Sequence, residues 1–430
     1  MITASIFIVF IIAIVIGCPI AIAMFLAGAI PSQLFTNIAA PSLAQKMFVS
    51  VDSFTLLAIP LYILAGVLMD RGGVSKRLVN FAKSLFGWLP GSLAIVTFFA
   101  SAFFGAISGS NSATVAAIGS IMIPAMLESG YPLPFALSTV ASAGFLGVII
   151  PPSIPMVLYA ISAGSVSIGD LFMGGFFPGV ILASGMSIYA FMYGRKHLPD
   201  KVIPFSLKNV FTAFFNAVGA LGMPIIILGG IYTGVFTPTE AAAVACVYGF
   251  IISVFVYREL KINQLMDALR KGSLTTCVVM FIVATAMVLS YVLTLEQVPN
   301  QVAGWIMSVS SNPSVFWILI TILLLFVGTF MDTAPAIMVL APMFAPIIAL
   351  YGLNSVHFGV VMTVNLAIGM VTPPVGLNLY VAASLVNAKV DTVINRHLFI
   401  YIGLAILCML LFIVFPNIIL FLPNVLKSLR

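Results

Sequence analysis

The sequence predicts an all-α polytopic membrane protein with two inverted repeats, each containing a re-entrant helical hairpin and a helix broken at a Pro-Pro pair. The chain of 430 residues is 62% hydrophobic and only 7% charged, which is too little charge to cover a water-facing surface. Apolar stretches of about 20 residues recur along the whole length, as in proteins whose helices cross the bilayer repeatedly. A Pro-Pro pair occurs twice inside such stretches, at Pro151 and at Pro373.

The apolar segments follow one another with few polar interruptions. The first is broken at Gly17-Cys18-Pro19, so it is either one tilted span or two short ones, and the chain is predicted to cross the membrane nine or ten times. Two pairs of segments are joined by short polar tips and are predicted to be hairpins. In order, the segments are 2–33, 54–69, 88–108, 112–127, 131–160, 170–194, 209–235, 239–257, 273–295, 313–331, 333–350, 355–388 and 397–422.

One ungapped offset of 222 residues aligns 104–160 with 326–382. It matches both Pro-Pro pairs, and it also matches Gly147 with Gly369. The two polar tips coincide as well, because Ser110-Asn111 falls opposite Asp332-Thr333. This agreement of breaks, tips and glycines indicates an internal duplication.

The orientation of the two copies follows from the number of segments between the hairpins. Five predicted crossings separate them, and an odd number inverts the second copy. Twelve of the seventeen Lys and Arg residues fall in three predicted loops, 71–83, 195–208 and 258–271, which predicts that these loops face the cytoplasm. Inverted repeats whose broken helices meet at the midplane are typical of secondary transporters.

The breaks suggest what such a site would bind. A Pro-Pro pair removes two backbone donors and opens the helix, and open backbone inside a membrane is tolerated where it lines a cavity. The freed carbonyl oxygens suit a small cation, while the helix N-termini at the hairpin tips suit a carboxylate. The sequence therefore predicts one site with two cation positions and an anion between them.

The candidate residues lie at the tips "AISGSNSAT" (106–114) and "VGTFMDTAP" (327–335) and at the two breaks. A first Na⁺ site is predicted at Ser108, Ser110, Asn111, Gly147 and Pro151. A second is predicted at Gly328, Asp332, Gly369, Thr372 and Pro373. The solute is predicted to contact Ser110, Asn111, Ser112, Thr333 and Asn378.

Each candidate also has a structural alternative. Small polar residues can hold membrane helices together, Asp332 can cap a helix or carry a proton instead of binding Na⁺, and the breaks can be packing kinks. Asn365 and Asn378, beside the second break, can reach the solute or only satisfy freed backbone groups.

Several other functions are excluded. The three His and four Cys residues are isolated, so no transition-metal site is predicted. The chain has no Walker A sequence and no catalytic constellation, so no enzyme is predicted. The net charge of +6 lies mainly in the three predicted cytoplasmic segments, so it does not indicate a nucleic-acid partner.

The motifs "SGSNSATVAAIGSIMIPAM", "GFLGVIIPPSIPMVLYA", "FMDTAPAIMVLAPMFAPI" and "NLAIGMVTPPVGLNLYVA" closely resemble the large membrane subunit of TRAP (tripartite ATP-independent periplasmic) transporters. The resemblance covers essentially the whole chain. It implies a small four-helix membrane subunit and a periplasmic substrate-binding protein as partners. It also implies Na⁺-driven import of a carboxylated solute, such as a C4-dicarboxylate or sialic acid, across the bacterial inner membrane. Within the family, the motifs most resemble those of the sialic acid branch.

The family is similar in fold to the divalent-anion/Na⁺ symporters, which implies an elevator mechanism. In those symporters Ser-Asn-Thr motifs hold carboxylate and Na⁺ at both tips, whereas here the second tip reads Asp332-Thr333-Ala334. An alternative is a stand-alone H⁺- or Na⁺-coupled anion carrier that needs no binding protein. The Arg expected in the site of such a carrier is missing, because no Arg or Lys occurs between Lys271 and Lys389.

The resemblance also implies a division of the chain into a scaffold and a moving transport domain. The scaffold would comprise 1–87 and, with a linker, 195–312. The transport domain would comprise 88–194, with hairpin 88–128 and broken helix 131–160, and 313–430, with hairpin 313–350 and broken helix 355–388.

Overall fold

The computed structural model describes residues 2–36, 38–164, 166–197, 204–309 and 312–428. Within these ranges the chain is helical and contains no β-strand. Eight of the described helices are long and apolar enough to cross a membrane, or nine if Leu133–Ile149 and Ile154–Ala163, bent by 46° at their break, form one span. The all-α membrane architecture is confirmed. The eight include both arms of the second hairpin, so the crossing number of nine or ten stays a prediction.

The N-terminal region holds five helices. They are α1 (Ile2–Val15), α2 (Ile20–Phe35), α3 (Ala40–Val51), α4 (Ala58–Arg71, after a 3₁₀ turn at Phe54–Leu57) and α5 (Val74–Phe86). The predicted break at Gly17-Cys18-Pro19 separates α1 from α2. The basic segment 71–83 is largely helix α5 and is not a loop, because Leu78 and Ala82 are buried on one face while Lys76 lies exposed on the other.

The first hairpin and the first broken helix lie where the sequence predicts them. The elements are α6 (Ser92–Ser108), α7 (Asn111–Glu128), α8 (Leu133–Ala143), α9 (Leu146–Ile149), α10 (Ile154–Ala163) and α11 (Ile168–His197). The helix stops at Ile149 and resumes at Ile154, because Pro151 and Pro152 cannot donate the backbone hydrogen bonds that would continue it. Ser153 then caps α10 by accepting a hydrogen bond from the Met156 amide.

The middle of the chain contains long helices. They are α12 (Leu207–Tyr232), α13 (Pro238–Ile251, continued by a π turn at Ile252–Val256), α14 (Ile262–Leu295) and α15 (Val298–Val309). The predicted loop 258–271 is wrong over most of its length, because α14 begins at Ile262 and carries Arg270 and Lys271. Residues 198–203 of the basic segment 195–208 lie outside the described residues.

The C-terminal part repeats the hairpin and the broken helix. It contains α16 (Pro313–Phe330), α17 (Thr333–Leu350), α18 (Ser355–Gly369), α19 (Leu377–Ser384), α20 (Val390–Val393), α21 (Arg396–Val414) and α22 (Asn417–Ser428). Helix α18 stops before Pro373-Pro374 and α19 starts after Gly376. The predicted span 397–422 is two helices, which separate at Phe415-Pro416.

The two halves exchange contacts crosswise. Helix α10, beyond the first break, packs on hairpin arm α17, and α19, beyond the second break, packs on hairpin arm α7 and on α8. Helix α14 lies beside both α4 and α17. Each broken helix is therefore supported by the hairpin of the other half, and both polar tips come to one region of the protein.

Candidate functional site

A cavity of about 460 Å³ lies where the two hairpin tips meet. Its lining includes Ser108–Ser112 from the first tip and Asp332-Thr333 from the second. Helices α4 and α14 also line it, and they contribute Asp70 and Lys271. Four of the five predicted solute contacts therefore face one space, and these are Ser110, Asn111, Ser112 and Thr333.

The first tip is a compact turn whose hydroxyl groups point at one another. Gly109 ends α6 with φ of 60°, a left-handed conformation that favours glycine. The Ser108 and Thr114 hydroxyl oxygens are 3.1 Å apart, and the Thr114 hydroxyl donates to the Ser110 carbonyl at 2.8 Å. Thr114, which the predicted cation set omitted, therefore belongs to the tip.

The first break packs directly on this tip. A methyl group added to Gly147 would lie 2.5 Å from the Ser110 carbonyl oxygen, and one added to Gly109 would lie 3.0 Å from the Pro152 carbonyl oxygen. The opened backbone around Pro151 therefore faces the turn. Gly147 also contacts Gly105 of arm α6. The structure thus brings the residues predicted for the first Na⁺ site into one neighbourhood.

Asn111 links the first tip to the second half. Its side chain is buried, and Nδ2 donates to the Met370 sulfur, which follows the end of α18. Its Oδ1 is buried and has no hydrogen-bond partner among the described residues. A buried carbonyl oxygen without a donor is suited to a cation or to a solute hydroxyl group.

The second tip is built in a related way but carries a carboxylate. Met331 and Asp332 are extended between α16 and α17, and the Thr333 hydroxyl donates to Asp332 Oδ1 at 2.9 Å. Asp332 is only partly exposed. It holds the N-cap position of α17, where its side chain makes no capping hydrogen bond, and it also lines the cavity.

The second break reaches its own tip through backbone contacts. A methyl group on Gly369 would lie 2.5 Å from Cα of Gly328, and the Gly376 amide donates to the Thr329 carbonyl at 2.9 Å. The Thr372 hydroxyl donates to the Ile368 carbonyl. Gly328, Gly369 and Thr372 thus lie beside the tip but do not line the cavity, and Pro373 follows them in the break.

Two asparagines near the second break are buried and incompletely bonded. Asn378, predicted to touch the solute, does not line the cavity; its Nδ2 is 3.5 Å from the Ala141 carbonyl of α8 and its Oδ1 has no partner among the described residues. Neither side-chain polar atom of Asn365 has a partner there either. Both amides therefore have unused hydrogen-bonding capacity inside the protein.

The cavity also contains two charged residues that the sequence prediction missed. Asp70 lies in the last turn of α4 and accepts a hydrogen bond from the Ser75 hydroxyl, and Lys271 lies on α14. Lys271 was predicted to face the cytoplasm, and no role was predicted for Asp70. The positive charge thought to be missing from the site is therefore supplied by a neighbouring helix.

A second cavity, of about 540 Å³, shares Asp70, Ala113 and Lys271 with the first. Its other lining residues include Lys76 and Glu259. They lie in or near the basic segments that predict the cytoplasmic side. Under the predicted orientation of these segments, the cavity at the tips lies next to the cytoplasmic side.

A protein-family model described as "Tripartite ATP-independent periplasmic transporter, DctM component" matches residues 7–418. The chain belongs to this family. The prediction of a TRAP large membrane subunit is thus confirmed, and so is its location as a multi-pass protein of the inner membrane. The chain is one component of a transporter and is not an enzyme, since its relatives are transporter permeases.

Relatives with different named substrates are similar to this chain. The isethionate TRAP transporter permease protein DctMQ of Oleidesulfovibrio alaskensis is 45% identical over 88% of the chain, but the chain spans only 59% of that protein. The C4-dicarboxylate large permease DctM of Pseudomonas aeruginosa is 41% identical, over 93% of both chains. The sialic acid large permease SiaM of Vibrio cholerae is 36% identical, over 89% of both.

The crystal structure of the YdaH transporter of Alcanivorax borkumensis has a similar fold. It has a TM-score of 0.56, covering 89% of this chain and 91% of that one, with 14% sequence identity. At this identity the likeness supports the transporter fold alone.

Proposed function

We propose that this TRAP subunit imports a small organic anion, carrying a carboxylate or a sulfonate, with Na⁺ as the coupling ion and with an elevator movement of the hairpins and broken helices. The observation that supports this most directly is the convergence of both tips on one cavity. One tip supplies uncharged oxygens around Ser110, and the other supplies the Asp332 carboxylate.

The oxygen chemistry of the site favours a hard monovalent cation. Among the described residues no group of three or more His, Cys, Asp or Glu could hold a metal ion, so a transition metal has no set of ligands. Hydroxyl and carbonyl oxygens of Ser108, Ser110, Asn111 and the first break would hold one Na⁺. Asp332 and the carbonyl oxygens beside Gly328 and Gly369 would hold the second.

The anion would lie between the two cations. Helices α7 and α17 both begin at the tips, so their free N–H groups are available near the cavity. The Ser112 hydroxyl group provides a further donor, whereas the Thr333 hydroxyl already donates to Asp332. Na⁺ at both positions would offset the Asp332 charge and would allow a negatively charged group to enter a cavity that already contains a carboxylate.

The relatives favour a small solute over one particular compound. Isethionate and C4-dicarboxylates are named for the proteins with 45% and 41% identity, whereas sialic acid is named for one with 36%. The cavity volume is within the usual range for small-molecule sites and does not select among them. Isethionate and C4-dicarboxylates are therefore our first candidates, and sialic acid remains the third.

The partners follow from the three-part family. We propose that a small four-helix membrane subunit packs beside this chain, within the bilayer, and that a periplasmic binding protein delivers the solute to the closed tips. In the elevator model the tips then carry solute and Na⁺ past the fixed scaffold to the cytoplasmic side.

Uptake into proteoliposomes that contain this chain with its small subunit tests the proposal. Radiolabelled isethionate, succinate and sialic acid would each be supplied with and without an inward Na⁺ gradient and the cognate binding protein. Uptake of one solute that requires both conditions is expected. Uptake without the binding protein would support the stand-alone carrier, and uptake that ignores the Na⁺ gradient would contradict Na⁺ coupling.

A further inference from the structure

Lys271 is the one basic side chain in the lining of the cavity at the hairpin tips, as far as the described residues go. It is exposed to the cavity and to solvent. The two ion pairs of the described chain, Arg77–Glu259 and Lys427–Asp170, do not involve it. Its ammonium group is therefore available to a ligand in this conformation.

The charges around the cavity make this lysine important for an anion. Asp332 and Asp70 both line the same space, and two carboxylates would repel an incoming carboxylate or sulfonate. Na⁺ bound at the second tip would offset the charge of Asp332, but this Na⁺ would belong to the hairpins and not to α4 or α14. Helices α4 and α14 contribute one charge of each sign to the lining, Asp70 and Lys271.

Lys271 also lies between the two cavities, because it lines both of them. It lines the cavity of about 460 Å³ at the tips and the cavity of about 540 Å³ toward the predicted cytoplasmic side. In the cavity of about 540 Å³ it has basic neighbours, Arg71 and Lys76. A solute that leaves the tips for the cytoplasm would therefore pass the Lys271 ammonium group first.

We propose that Lys271 forms a release-side subsite that binds the carboxylate or sulfonate of the solute on its way to the cytoplasm. The inference rests on the proposed function. Helix α14 belongs to the predicted scaffold, whereas the tips belong to the predicted moving part. The contact therefore forms only when the tips face the cytoplasm, and Lys271 contributes to binding from that side without contributing to capture from the periplasm.

Equilibrium binding and uptake together test this subsite. The purified complex without binding protein would be titrated with the radiolabelled solute in saturating Na⁺, which measures affinity in the inward-facing state. In Lys271→Gln the dissociation constant is expected to rise about three- to tenfold, the range for one charged contact that water partly screens. The binding-protein concentration that half-saturates uptake is expected to stay unchanged.

Two matched variants separate charge from general damage. Lys271→Arg keeps the charge and should bind within about twofold of the wild type. Arg270→Gln removes the neighbouring charge on the same helix, at a residue that lines neither cavity, and should bind as the wild type does.

Several results would overturn the inference while leaving Na⁺-driven uptake intact. These are equal affinities of Lys271→Gln and Arg270→Gln, an equal loss in Lys271→Arg, or no measurable solute binding by the inward-facing wild type. Absence of Na⁺-driven uptake by the wild type for all three solutes would instead overturn the proposed function, and the inference with it.

Discussion

The contact between Gly369 and Gly328 gives the sharpest test of the second cation site. In Gly369→Ala the new methyl carbon would lie 2.5 Å from Cα of Gly328 and 2.9 Å from the Leu325 carbonyl oxygen. Carbon atoms in contact normally lie about 3.5–4.0 Å apart, so arm α16 must move by roughly 1 Å relative to α18. Both partners are backbone atoms, and no side-chain rotation can relieve the clash.

The displacement separates the two groups of oxygens that are proposed to hold the second Na⁺. Overpacking of this kind costs about 1–3 kcal/mol, and about 1.4 kcal/mol corresponds to a factor of ten in binding. We therefore expect the Na⁺ concentration that half-saturates uptake to rise about tenfold in Gly369→Ala. The measurement is the initial rate of uptake into proteoliposomes against external Na⁺ at a fixed solute concentration.

Two further glycines make the test specific. Gly105→Ala in the first half would place its methyl carbon 2.8 Å from Cα of Gly147, a milder clash, so its Na⁺ dependence should shift less. Gly403→Ala on α21 would meet no atom within 4 Å and should behave as the wild type does. A half-saturating Na⁺ concentration in Gly369→Ala equal to that of Gly403→Ala, with both proteins inserted normally, would refute the reasoning.

Three other changes have defined outcomes. Asp332→Asn keeps the shape of the second tip but removes its charge, so Na⁺-driven uptake should fall at least tenfold; full Na⁺-coupled uptake would show that the second site is wrongly drawn. Asn365→Leu removes two buried and unbonded polar atoms, so the melting temperature should hold or rise. Uptake should fall more than tenfold if the amide serves a ligand. Unchanged uptake would assign Asn365 a packing role. Thr237→Ala breaks the capping box with Glu240 and should lower the unfolding free energy by about 1 kcal/mol. The thermal transition should move to a lower temperature while the Na⁺ dependence of uptake stays unaltered. A shifted Na⁺ dependence would contradict a purely structural cap.

The hairpins and the breaks could be predicted because their causes are local. A Pro-Pro pair removes two neighbouring backbone donors and opens the helix, whereas single prolines such as Pro124 and Pro178 lie inside continuous helices. The breaks after α9 and α18 therefore follow from the paired prolines at Pro151 and Pro373. A dense polar turn between two apolar segments likewise forces a return of the chain, which located both tips within a few residues. The close approach of Gly147 and Gly369 to their tips was also predictable, since each glycine has a counterpart at the same offset.

The short helices were not predictable from hydropathy. Helix α5 carries Lys76 and Lys83 on a face that water can reach, so its average composition is that of a loop although its buried face repeats every three to four residues. The N-terminal turns of α14 were missed for the same reason. In both cases a basic composition indicated the correct side of the membrane but hid the helical periodicity.

The remaining site residues depend on tertiary packing. Lys271 was assigned to the cytoplasmic surface because of its charge, yet α14 places it in the lining of the same cavity as Asp332. Asn378 was predicted to reach the solute but lies against α8 of the other half, since the halves exchange contacts crosswise. Neither position follows from local sequence, because each depends on which helices become neighbours after the chain has folded.

The two tips share a fold but not a charge, and this difference sets the order of binding under the proposed function. The second tip offers Na⁺ the full charge of Asp332, whereas the first offers only hydroxyl, amide and carbonyl dipoles. Na⁺ should therefore occupy the second position first, and the first position should fill strongly only when the solute anion adds its charge beside Ser110 and Asn111. Because binding linkage is reciprocal, the solute then raises Na⁺ affinity at the first tip by the same factor by which that Na⁺ raises solute affinity. A duplicated fold with one carboxylate at its two tips would thus make solute binding depend on Na⁺, without a basic residue in the moving part of the site.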